Sequence, residues 1–113
     1  MTTPTGSDTA LAAKLFRGFG DRTRLAILVE IADGEQRVTD LVERLGRSQS
    51  TISTHVACLR DCGLVDSRIE GRQVFYRVAF PEVIAMLKGA ELLLTEIGHE
   101  VELCPNYGEV GER

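Results

Sequence analysis

Three cysteines, Cys58, Cys62 and Cys104, are the residues of this 113-residue chain whose chemistry and spacing best suit an ion. Cys58 and Cys62 lie four apart in a segment of helical pattern. Side chains at i and i+4 project from one helix face, roughly 6 Å apart along the axis, so both sulfurs can reach one ion. Cys104 follows in a polar tail containing Gly and Pro that offers it nothing to pack into. Pro105 biases that cysteine to extended backbone, suited to an arm crossing onto a neighbouring molecule. Three thiolates select soft ions: Cd(II) or Pb(II), with Zn(II) and As(III) as further candidates. The competing reading of any one free cysteine is a small buried hydrophobe. A second thiol one turn on weakens that reading for Cys58 and Cys62, and the polar tail weakens it for Cys104.

The segment that carries the cysteine pair also carries a polar face. Ile52, Val56 and Leu59 form an apolar stripe at helical spacing, and opposite it stand Gln49, Ser50, Ser53 and Thr54, flanked by Thr51 and His55. Short hydroxyl and amide side chains let a backbone approach DNA closely, and they both donate and accept hydrogen bonds. Gln49 suits an adenine edge, and the Ser and Thr residues suit phosphates at a helix N-terminus. An ordinary solvated face would carry Glu and Lys, whereas residues 49–55 have neither.

These residues need elements to position them. A first helix is expected over residues 8–19, with Leu11, Leu15 and Phe19 on one side and Gly18 and Gly20 ending it. Asp21 caps a second helix with a buried stripe of Leu25, Leu28 and Ile31 or Ala32, which stops at Asp33-Gly34. Thr39 caps a third helix, with Asp40 in its first turn and Leu41, Val42 and Leu45 inward. After Gly46 and a short turn, Ser48 caps a fourth helix running to about Cys62. Two short helices around a tight Gly-containing turn make a helix-turn-helix. The β-rich runs 64–69 and 74–78, on either side of Glu70-Gly71-Arg72-Gln73, predict a hairpin. It carries Arg68, Arg72 and Arg77, with Arg72 at the tip where a wing can enter a minor groove or meet phosphate. Pro81 opens a fifth helix to about residue 100, with a wide apolar face of Val83, Leu87, Ala90, Leu94 and Ile97 joined by Ile84, Met86 and Leu93. The fold class is therefore mainly α with a small β-hairpin: one winged helix-turn-helix domain over residues 1–113, with loose ends at about 1–8 and 103–113.

The run Ser48-Gln49-Ser50-Thr51-Ile52-Ser53-Thr54-His55-Val56, followed by Leu59 and Gly63-Leu64-Val65, resembles the signature of the ArsR/SmtB metalloregulatory repressors. Asp21-Arg22-Thr23-Arg24-Leu25-Ala26-Ile27-Leu28 is similar to that family's second helix, and Gly71-Arg72-Gln73-Val74-Phe75-Tyr76 to its wing. The resemblance implies a homodimer paired through the first and last helices, binding double-stranded operator DNA with an imperfect inverted repeat. Cys58-Leu59-Arg60-Asp61-Cys62-Gly63-Leu64 is similar to the site of the cadmium/lead-sensing branch. That similarity implies Cys58, Cys62 and Cys104 as metal ligands, and release from DNA when the metal binds. The family's cysteine pair on the third helix is missing. Its zinc site on the last helix is half present, as His99 and Glu102, with Met86 and Lys88 standing where the other half belongs. An As(III)-responsive or thiol-redox-responsive repressor of the same fold is the alternative. Redox sensing ranks second because Cys62 sits at a helix C-terminus, whose negative dipole end disfavours thiolate.

Charge and composition fit this reading. The net charge is -4, yet residues 44–77 hold six Arg against three acids, a cationic centre on an acidic frame. Such a distribution is compatible with a DNA-reading face. An odd cysteine count does not make a disulfide framework. There is no Gly-rich phosphate loop, no Cys-x-x-Cys and no α/β alternation, so an enzyme is not expected. No apolar run approaches the ~20 residues of a membrane span, and no signal pattern opens the chain, so a cytoplasmic protein with no membrane partner is expected.

Overall fold

The computed structural model describes residues 6–108. Its elements run α1 (Gly6–Gly20), α2 (Arg22–Asp33), α3 (Val38–Leu45), α4 (Gln49–Asp61), β1 (Val65–Glu70), β2 (Gln73–Val78) and α5 (Pro81–Glu96). The expected fold class is therefore what forms: a mainly helical winged helix-turn-helix. Of the loose ends expected at about 1–8 and 103–113, residues 1–5 and 109–113 lie outside the described residues, and residues 6–8 already belong to α1.

Local chemistry sets most boundaries. The Asp21 carboxylate accepts from the Arg24 N–H at 2.9 Å, capping α2, and the Ser48 hydroxyl accepts from the Thr51 N–H at 3.2 Å, capping α4. Such caps satisfy donors that the first helical turn leaves orphaned. Gly46 closes α3 at φ 66°, a left-handed conformation that costs a residue without Cβ little. The hairpin is in the register Val65↔Val78 to Glu70↔Gln73, which leaves Gly71 and Arg72 as a two-residue loop. Gly71 has φ 62° and Arg72 is not positive, the pattern of a type II′ turn. The core takes Ile27, Leu28 and Ile31 from α2, Leu41 from α3, and Ile52, Val56 and Leu59 from α4.

Four expectations are corrected. Gly18 does not end α1 but lies buried within it, because a Cβ there would meet Leu64 Cδ1 at 3.0 Å. Its role is close approach, and the helix continues to Gly20. The cap of α3 is Arg37 rather than Thr39: the Asp40 carboxylate reaches back to accept from the Arg37 N–H at 2.8 Å and from the Arg37 guanidinium at 2.8 and 3.0 Å. Helix α5 ends at Glu96 rather than near residue 100, because Gly98 turns left-handed at φ 98° and the His99 N–H folds back to the Leu94 carbonyl at 2.8 Å. His99 and Glu102 consequently lie beyond the helix, and their spacing no longer puts them on one helical face.

The fourth correction concerns the tail. Leu103 and Tyr107 pack against the core and Cys104 is 4% exposed, so the segment that looked unanchored is docked. The expected apolar face of α5 also divides. Val83, Ile84 and Leu87 are consumed by the core of the same chain, while Leu92, Leu93 and Ile97 stay exposed.

The Arg37 guanidinium and backbone hold the Asp40 carboxyl at about 2, below the ordinary 3.8. A carboxyl lowered on folding contributes stability that is present above 3.8 and lost as pH falls through about 2. Asp40→Asn should therefore lower Tm at neutral pH. The gap between parent and variant should close on acidification across that window in thermal melts followed by circular dichroism. A gap independent of pH would mean that Asp40 acts without its charge.

Candidate nucleic-acid interface and thiol site

The α4 stripe Ile52, Val56 and Leu59 is at most 1% exposed, which fixes the rotation of the helix and turns Gln49, Ser50, Ser53 and Thr54 outward. Their side chains are not equally free. Thr54 Oγ1 donates to the Ser50 carbonyl at 2.8 Å, and Thr51 Oγ1 accepts from the capping Ser48 hydroxyl at 2.9 Å. Ser50 Oγ lies 3.3 Å from Ser48 Oγ. Among the described residues Gln49 and Ser53 have no such partner, which makes them the readiest groups for a base edge or phosphate. His55 is half-buried and directed at the cap of α2, with Nδ1 3.9 Å from Asp21 Oδ2. It flanks the polar face, as expected from the sequence, and sits on the side of α4 turned to α2. The carboxyl of Asp21 is held low, first by the Arg24 N–H and, among weaker causes, by Arg24 and His55.

On the wing the three arginines have separate fates. Arg68 is engaged by its own chain: Nε donates to both Glu35 oxygens at 2.9 and 3.0 Å, Nη2 to Glu35 Oε1 at 2.9 Å, and Nη1 to Glu70 Oε2 at 3.0 Å. Its guanidinium also stacks 4.7 Å from the Phe75 ring centroid. These hydrogen bonds raise the Arg68 pKa and lower that of Glu35. Two carboxylates neutralise the charge of Arg68, which the sequence offered equally to DNA or to solvent, so Arg68 braces the wing. Arg77 is half-buried and also partnered. Arg72 is exposed at the tip, beside a groove of about 360 Å³ whose lining includes Arg37, Thr39 and Gln73. Thr39, at the start of α3, was missed as a candidate, since only the tertiary fold brings it next to Arg72, and Arg37 beside it is already paired with Asp40. Gln36 and Tyr76 exchange backbone hydrogen bonds of 3.0 and 2.8 Å, tying the wing to the segment before α3.

Cys58 and Cys62 are half-buried thiols on successive turns at the end of α4. Burial, and after it the neighbouring Cys58, push the Cys62 thiol up, and Lys14 and Arg24 oppose this. Cys62 borders a cavity of about 530 Å³ with Asp8, Leu11, Lys14 and Asp61, so there is room beside this thiol at the α1–α4 junction. Cys104 sits elsewhere in the chain. Burial pushes its thiol up, and the acids that act on it are Asp33, Glu91 and Glu30. Among the described residues, no three His, Cys, Asp or Glu side chains converge on a site for a metal ion. One protomer therefore brings together two of the three expected ligands.

Residues 21–67 match the model of a family described as bacterial regulatory protein, arsR family. A probable mercury resistance operon repressor of Streptomyces lividans is 35% identical over 101 residues, spanning 89% of this chain and 81% of that protein. The chain belongs to the arsR family. The HTH-type transcriptional regulator CmtR of Mycobacterium tuberculosis is 46% identical over 67 residues, covering 59% of this chain and 57% of that protein. Among solved structures, the homodimeric winged helix-turn-helix DNA-binding domain Mb0332 from Mycobacterium bovis superposes with a TM-score of 0.75 at 25% identity, over 90% of this chain and 97% of that one. An arsR-family chain is a DNA-binding transcriptional regulator and not an enzyme, and no helix among the described residues is long and apolar enough to cross a membrane.

The wing geometry makes a prediction for arsR-type DNA binding. Arg72→Ala should reduce the slope of log K against log salt by about one per protomer, as loss of a phosphate contact requires. Arg68→Ala should leave that slope near the parent value, because Glu35 and Glu70 already neutralise its charge. Fluorescence anisotropy on an operator duplex across a salt series measures both, and a slope lost with Arg68 would return that residue to the interface.

Proposed function

We propose that the protein is a metal-responsive repressor that binds an inverted-repeat operator as a homodimer and lets go when a soft metal ion binds its cysteines. The observation that carries this reading is the placement of Cys58 and Cys62 on the same rigid helix as the exposed face at residues 49–54. A restraint applied to one end of α4 acts on the other. Operator half-sites sit about one helical turn, roughly 34–36 Å, apart, so a small change in the tilt of each α4 spoils simultaneous docking. A coupling free energy of about 1–3 kcal/mol is typical of such linkage.

The donor set fits a thiolate-seeking ion. Two sulfurs one turn apart, with open space beside Cys62 at the α1–α4 junction, can hold Cd(II) or Pb(II), and Zn(II) and As(III) are further candidates. The similar mercury resistance operon repressor supports a soft ion. Cys104 lies apart from the pair within one chain, and Cys104 of the partner subunit would complete a three-thiolate set. The bound ion supplies positive charge that stabilises thiolates which burial otherwise disfavours. Redox sensing is the weaker reading, because burial raises the Cys62 thiol and an unaided thiolate is what oxidation needs.

Pairing through α1 and α5 is supported by apolar surface that the chain does not cover for itself. Leu11 is 70% exposed, Phe16 61%, and Leu93 and Ile97 63% each. Phe16 and Leu93 also border an apolar groove of about 330 Å³. A homodimer is also what the similar Mycobacterium bovis domain forms. Leu93→Glu should give monomers in sedimentation and lose operator affinity, while the fold persists because the side chain is exposed. A surviving dimer would move the interface elsewhere.

The direct test of the sensor is the cysteine series. Cys58→Ser, Cys62→Ser and Cys104→Ser should each keep DNA binding and lose or blunt metal-induced release. The release is read by anisotropy, and the metal by its thiolate charge-transfer absorption. Mixing Cys58→Ser/Cys62→Ser subunits with Cys104→Ser subunits should restore one site per heterodimer if ligation crosses the interface. Full response in the Cys104→Ser homodimer would reduce the site to two thiolates and sink the three-cysteine sensor.

A further inference from the structure

The tail that carries Cys104 is held down by four separate contacts. The Leu103 N–H donates to the Glu91 carboxylate on α5 at 2.6 Å. The Tyr107 ring packs on the core with Lys88 Nζ 5.2 Å from its centroid. The Gly108 N–H donates to the Ala32 carbonyl, one of the acceptors that the end of α2 leaves without a partner in its own helix. Only glycine fits there, since a Cβ on residue 108 would lie 2.6 Å from the Asp33 carbonyl oxygen. Between these ties Cys104 is 4% exposed. A thiol so covered cannot bond an ion on another subunit until it is uncovered.

We propose that residues 103–108 are a latch, docked on α2 and α5 of their own chain, that must open before Cys104 can reach a metal ion. This rests on the three-thiolate reading above. Docking of the tail and ligation by it then compete for one segment. The apparent metal affinity is the intrinsic affinity reduced by the fraction of chains with the tail free. The latch thus sets the ion concentration at which the regulator responds, and it leaves the residues facing DNA untouched. It also gives Gly108 and Glu91 a role that no ligand or core argument assigns them.

The test separates the latch from the metal site. In metal-free Cys58→Ser/Cys62→Ser protein, Cys104 is the only thiol, and its labelling by an aromatic disulfide reagent reads its coverage directly. It should label much more slowly in the folded protein than in urea. Gly108→Ala and, independently, Glu91→Ala should each speed labelling of the folded protein by about tenfold, the effect of losing roughly one hydrogen bond. Equal rates in folded and unfolded protein would overturn the latch without any metal being involved. In the protein with all three cysteines, Gly108→Ala should then lower the Cd(II) concentration for half-saturation by a similar factor. If Cys104→Ser weakens Cd(II) binding but Gly108→Ala leaves it unchanged, the latch fails and the three-thiolate site stands. If Cys104→Ser binds Cd(II) like the parent, the site itself fails and the coupling falls with it.

Discussion

The burial of one stripe of α4 is the constraint on which the rest of this structure depends. Ile52, Val56 and Leu59 are sealed against α2, α3 and the wing, so the helix has no freedom to rotate. With 3.6 residues per turn, every other side chain on α4 is then committed to a direction. Gln49 and Ser53 must stand outward, His55 must meet the cap of α2, and Cys62 must face α1. A reading surface and a thiol pair thus become two parts of one rigid body, which is why an ion at one end can be felt at the other.

Around that helix, charge is used to fix geometry as well as to attract DNA. Arg37 with Asp40 defines where α3 starts, and Arg68 with Glu35 and Glu70 braces the wing against the segment before α3. Both sets are partly solvent-exposed, so each pair by itself adds little to stability. Their contribution is orientation: bidentate hydrogen bonds and the stacking of Arg68 on Phe75 hold the hairpin in one attitude relative to α4. Arg72, exposed at a two-residue tip and without an ion-pair partner among the described residues, is carried by that hairpin.

The acidic side of the molecule has a different logic. Glu91 takes up a backbone N–H of the tail, and its carboxylate lies beside the buried Tyr107 phenol, which burial above all pushes up to about 12. An acid that looks like ordinary surface charge in the sequence is thus part of an anchoring site. The docked tail also meets the uncovered apolar side chains of α1 and α5, since Leu103 lines the same groove as Phe16 and Leu93.

Much of this was legible in the residues themselves, because it depends on neighbours in sequence. The Asp21 and Ser48 caps, the Gly46 stop, the Gly71 turn and the α4 stripe all arise from interactions within about four residues, where spacing alone decides which groups can meet. The winged helix-turn-helix and the pairing of Cys58 with Cys62 follow from the same short-range rules. What the sequence could not settle are contacts between residues far apart in the chain. Gly18 reads as a helix stop until Leu64 is packed on it, and Arg68 reads as a free cation until Glu35, 33 residues away, closes on it. Leu87 and Leu93 look alike on a helical wheel, yet one is core and the other surface, because only the docked positions of α2 and β2 decide which side of α5 is covered. Cys104, placed by composition in a loose polar tail, is covered because Gly108 meets an orphan carbonyl at the end of α2, a match of shape and hydrogen bonding that exists only once both segments are folded.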